Sequence, residues 1–108
     1  MNNFPDEFNR GSCMKELKKN QSGIILEVRK EFYEKALESI KRSDRVVSFD
    51  FPDKLWQENR LKITKELLGR FGILKVSVPG ENYVTTKTAS DEDELPNNIK
   101  SIKIEFFA

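Results

Sequence analysis

The sequence predicts an α+β domain, a two-layer sandwich with two main helices packed on one face of a mostly antiparallel sheet of four to five strands. Three observations lead to this. Apolar residues recur at helical spacing in two segments, short β-branched and aromatic segments lie between and after them, and the chain is 108 residues long with 37% hydrophobic and 34% charged side chains. That length suffices for one core and not for two.

Residues 1 to 22 carry few apolar side chains, Phe4, Phe8, Met14 and Leu17 among them, and are broken by Pro5 and Gly11. They read as a loosely ordered arm with a short polar helix at Met14 to Lys19, leaving residues 23–108 as the domain. Ile24-Ile25-Leu26-Glu27-Val28 fits either a buried strand or the first turns of a helix. The preceding Gly23 and the two isoleucines favour strand. From Arg29 to Arg42, Phe32, Tyr33, Ala36, Leu37 and Ile40 fall at i, i+1, i+4, i+5 and i+8, the stripe of an amphipathic helix.

Val46 to Phe51 reads as a strand stopped by Pro52. Asp53 is the expected N-cap of a second helix running to about Arg70, with Gly69 and Gly72 as its C-terminal stop. Trp56, Ile63, Leu67 and Phe71 share its inner arc, flanked by Leu61 and Leu68. Leu74 to Val78, a turn at Pro79-Gly80 and Tyr83 to Thr88 form a hairpin. Ile99 to Phe107 supplies the last strand, with Ile102, Ile104 and Phe106 on one face.

Nineteen Lys and Arg balance eighteen Asp and Glu, so no global field selects a polyanionic partner. Charge is nevertheless uneven, with seventeen basic against thirteen acidic groups over 1–90 and two against five over 91–108. The opening residues lack a basic start followed by an apolar stretch, and no run approaches the length of a membrane span, so a cytoplasmic protein with no membrane association is expected.

Histidine is absent, which removes the usual near-neutral acid or base and the commonest metal ligand. Cys13 has no second cysteine and no histidine partner and reads as incidental. Pro5-Asp6 with Glu16-Leu17-Lys18 has the residue types of a metal-dependent nuclease centre, but in a polar, glycine-interrupted segment where a cation would not be desolvated. The acidic run Asp91 to Glu94 lacks the ligand spacing of a calcium loop. The expectation is therefore no enzyme, no cofactor and no metal.

If Phe49, Phe51, Leu74, Val76, Val78, Val84, Thr86, Ile102, Ile104 and Phe106 face the helices, the opposite face receives Ser48, Asp50, Lys75, Ser77, Tyr83, Thr85, Lys87, Lys103, Glu105 and Phe107. Lysines beside aromatic rings on a sheet are one way to hold a single nucleic-acid strand, and are equally the ordinary solvated face of a sheet. Lys75, Tyr83, Thr85, Lys87, Lys103 and Phe107 are the candidate interaction surface. Arg60 and Trp56 are secondary candidates. The Arg60 guanidinium falls within the apolar arc, so it either passes the core or pairs with a carboxylate such as Asp50, its stem covering Trp56, or it contacts an anion or partner. The leading expectation is a small adaptor or regulatory protein acting through contact with another protein or with itself, and the alternative is single-stranded nucleic-acid binding.

Overall fold

The structure, a computed structural model, describes residues 3–80 and 84–107. Helix α1 spans Arg10–Lys41 and helix α2 Gln57–Phe71; strands β1 to β4 are Val46–Asp50, Leu74–Pro79, Val84–Ala89 and Ser101–Glu105. A single 3-10 turn, Glu92–Glu94, lies between β3 and β4. The α+β sandwich is as the sequence predicts. Among the described residues no helix is long and apolar enough to cross a membrane.

The first difference from the sequence reading is α1. Residues expected as an arm and a short strand continue one helix, capped by the Asn9 side chain, which accepts from the Ser12 amide at 3.0 Å. Residues 24–28 are helical because a helix turns Val28 into the core and brings Ile24 and Ile25 against it, leaving Leu26 and Glu27 outside. A strand would have divided Ile24 and Ile25 between two faces. Gly23 is tolerated within the helix, at a cost of about 1 kcal/mol against alanine.

Every residue from Asn3 to Asn20 is exposed, so the first three turns of α1 project past the domain and help stretch the molecule to 67 Å. Gln21 is the first buried residue among those described. Its side-chain nitrogen donates to the Lys54 carbonyl at 2.8 Å, and its oxygen accepts from the Trp56 amide at 3.0 Å and the Asn59 side chain at 2.9 Å.

That contact explains the second difference. Helix α2 starts at Gln57, not after Asp53, and its N-cap is Trp56, whose side chain makes no capping bond. The cap comes from α1 instead, through Gln21. Helix α2 ends at Gly72, whose positive φ of 81° suits glycine and whose amide donates to the Leu68 carbonyl at 2.8 Å.

The sheet order is β1-β4-β2-β3, with every pairing antiparallel. It follows that β1 and β2, joined by α2, run in the same direction with β4 inserted between them. The core lies between this sheet and both helices: Val28 and Phe32 from α1, Ile63 and Leu68 from α2, and Val47, Phe49, Leu74, Val76, Ile102 and Ile104 from the strands. Phe32 meets Phe49 edge-on at 5.6 Å between centroids. Helices α1 and α2 run in the same direction, since Gln21 reaches Asn59 and Arg29 reaches Glu66 two turns further along both.

Candidate functional site

The candidate surface expected on the outer sheet face is not assembled. In an antiparallel pair, residues directly opposite point to the same side. Lys75 and Lys103 are opposite each other on the outer face, but Lys87 is opposite Val76 and Thr85 opposite Val78, so both belong to the helix side. The Ser77 and Thr86 hydroxyls, 3.2 Å apart, confirm the register. The sequence reading placed β3 one residue out of phase: Ala89, fully buried opposite Leu74, is its inward anchor, and Thr86 faces outward.

Helix α2 does not extend over the edge strand, so Thr85 and Lys87 remain exposed on that inner side. Lys75 is engaged with Glu105 at 3.0 Å. Phe107 lies beyond the end of β4 and is exposed. Tyr83, and with it most of the expected turn after Gly80, lies outside the described residues. What the outer face presents is Ser48, Asp50, Ser77, Thr86, Thr88, Ser101 and Lys103 around the Lys75–Glu105 pair.

Arg60 is buried, as its place in the apolar arc required, but its partners are neither Asp50 nor any other carboxylate. Nε donates to the Leu55 carbonyl at 2.8 Å, Nη1 to Ile99 at 2.9 Å, and Nη2 to Pro52 at 3.0 Å and Asp53 at 3.3 Å. The guanidinium fork thus ties the 52–55 turn to the segment leading into β4. Gln57 completes the tie by accepting from the Ile99 amide at 2.8 Å. Trp56 is half-buried beside Gln21 at the same end. Cys13 is exposed on the projecting part of α1, and among the described residues no three His, Cys, Asp or Glu side chains come together.

The feature the sequence reading did not single out is on the helical layer. Between α1 and α2 lies a cleft of about 620 Å³, walled by Tyr33, Leu37 and Ile40 on one side and Leu67 and Phe71 on the other. The Arg29–Glu66 ion pair bridges it. Its apolar side chains are open to solvent, with Tyr33 63% exposed and Ile40 54%. Leu26, 65% exposed, continues the α1 wall two turns earlier, and Phe71 meets Phe106 edge-on at 6.0 Å at the far end.

A signal for this site was present in the sequence. Phe32, Ala36, Ile40, Tyr33 and Leu37 span an arc of about 140° on a helical projection, more than contact with one sheet covers. Phe32 and Ala36 take the sheet-facing edge of that arc, leaving Tyr33, Leu37 and Ile40 outward. The cleft can desolvate an apolar side chain or helix face, and its charged rim can orient one. No protein-family model, curated protein or solved structure matches this chain.

Proposed function

We propose that the chain is a small non-enzymatic adaptor or regulatory protein that works by protein contact, and that its working surface is the outward face of α1 with the cleft beside α2. The observation that carries this reading is the exposure of Tyr33, Leu37, Ile40 and Phe71 around one cleft, with Leu26 further along the same face of α1. Isolated exposed apolar residues are normal on a monomer, whereas several gathered around one cleft with a polar rim are typical of an interface.

The test is site-specific photo-crosslinking in the native cell, with a benzophenone side chain replacing Tyr33 and, as control, Lys103 on the outer sheet face. Protein adducts from position 33 and not from 103 support the reading. No adduct from 33, or equal yield from both, overturns it.

The alternative, single-stranded nucleic-acid binding through Lys75, Tyr83, Lys87, Lys103 and Phe107, draws less support, because Lys87 faces away from Lys75 and Lys103 and Lys75 is occupied by Glu105. A labelled oligonucleotide whose anisotropy rises with protein at low salt, and falls back steeply as salt is added, would restore it.

A further inference from the structure

We infer that the occupant of the α1 face is a second copy of the chain, its α1 lying antiparallel across the first. This rests on the protein-contact reading above and names the partner.

The exposed positions Leu26, Tyr33, Leu37 and Ile40 are spaced by seven, four and three residues, the alternation of a seven-residue seam, with Lys30 at the one polar seam position. Leu37 of one copy then meets Tyr33 of the other, twice by symmetry, and Ile40 covers the aliphatic stem of the opposing Lys30.

Charge chooses the direction, because a parallel pair would set Lys30 of each copy against its mate within the seam. Glu27, Glu34 and Lys41 project on the side of the seam turned away from α2, and all are exposed. In the antiparallel register that joins Leu37 to Tyr33, Glu27 of each copy falls opposite Lys41 of the other, two opposite-charge pairs that outweigh the one Glu34–Glu34 contact left at the two-fold axis. The alternative antiparallel register, Leu37 against Leu26, instead sets Glu27 against Glu34. The present partners of these groups are weak: Lys54 stands 3.9 Å from Glu27 and Lys30 4.0 Å from Glu34, all largely solvated, so the contacts can be exchanged. Helix orientation agrees. Because α1 and α2 run in the same direction their dipoles repel, and an antiparallel helix against them offsets this. The two-fold axis crosses α1 near Glu34, and each sheet lies on the outside of a four-layer assembly.

Sedimentation equilibrium of the full chain from about 1 to 200 μM is expected to fit a monomer–dimer equilibrium, a range that brackets micromolar association. Glu27→Lys and Lys41→Glu should each weaken the dimer about tenfold, because each places like charges together at two symmetry-related sites, and the double variant should return to within about twofold of the parent. Far-ultraviolet circular dichroism of each variant verifies that α1 is intact. In a Cys13→Ser background, Lys30→Cys mixed with Ile40→Cys should form the mixed disulfide in preference to either self-disulfide.

A strict monomer throughout the range, absence of charge-swap rescue, or self-disulfides at position 30 dominating the mixture would each overturn the proposal. A monomer that still yields protein adducts at Tyr33 removes only the second copy. A chain with neither property removes the protein-contact reading as well.

Discussion

Replacing Arg60 with methionine removes a cation held entirely by backbone carbonyls. The bonds to Leu55 and Ile99 are buried, and those to Pro52 and Asp53 are partly so. A hydrogen bond from a charged donor contributes about 1.5–3 kcal/mol net, so the two buried ones alone amount to roughly 3–6 kcal/mol. Burying a cation without a counter-ion costs part of that, and methionine relieves this cost, which leaves an expected loss of about 3 kcal/mol. For a domain of this size that corresponds to a fall in midpoint of roughly 12–24 °C. Arg60→Lys should lie between, because an ammonium concentrates its donors on one atom and cannot span four carbonyls. Urea titration followed by circular dichroism measures both. An Arg60→Met variant within about 0.5 kcal/mol of the parent would refute the assignment of Arg60 as a tie between loops.

Gln21→Leu should cost about 1–3 kcal/mol, since it leaves the Trp56 amide and the Asn59 side chain without their acceptor and uncaps α2; urea titration against the parent detects it. Deleting residues 1–15 should shift stability by no more than about 0.5 kcal/mol, because those described within the deletion are all exposed, and a large loss would show a contact from this segment to the domain. Glu105→Gln should cost less than about 1 kcal/mol, the Lys75 pair being only half-buried and screened, and its difference from the parent should shrink as salt is raised. Ile102→Ala, in the central strand and 1% exposed, should cost about 2–5 kcal/mol in the same titration.

Sequence patterning conveyed the layers better than the phases. The strands β1, β2 and β4 were legible because each alternates apolar and polar residues over at least four positions, and their inward residues Phe49, Val76, Ile102 and Ile104 are buried as that alternation requires. Strand β3 was not, because Val84 to Thr88 offers β-branched residues at both parities and the phase is set by pairing with β2, a non-local fact. Helix α1 was shortened by reading Gly11 and Gly23 as breakers, though a glycine in a helix costs less than the burial of Ile24, Ile25 and Val28 returns. Asp53 looked like a cap because local chemistry favours it, whereas the actual acceptor, Gln21, lies more than thirty residues earlier in the chain. The cleft was hidden for a related reason: apolar residues on an amphipathic helix are read as core until the width of the sheet beneath them is known.

Strand β4 sits in the interior of the sheet although it comes last among the described strands. Its neighbours β1 and β2 have no hydrogen-bonded contact with each other across the gap it fills, so a polypeptide lacking residues 101–105 holds two halves, β1 with α1 and the β2–β3 hairpin with α2, joined through the helices alone. Joining β1 to β4 closes a loop of about fifty residues, an entropic cost met late, and the exposed flank of β1 is open to other strands until it is met. The closing step of folding is therefore expected to wait for β4, with Ile102 and Ile104 acting as the wedge that commits the two halves to one core.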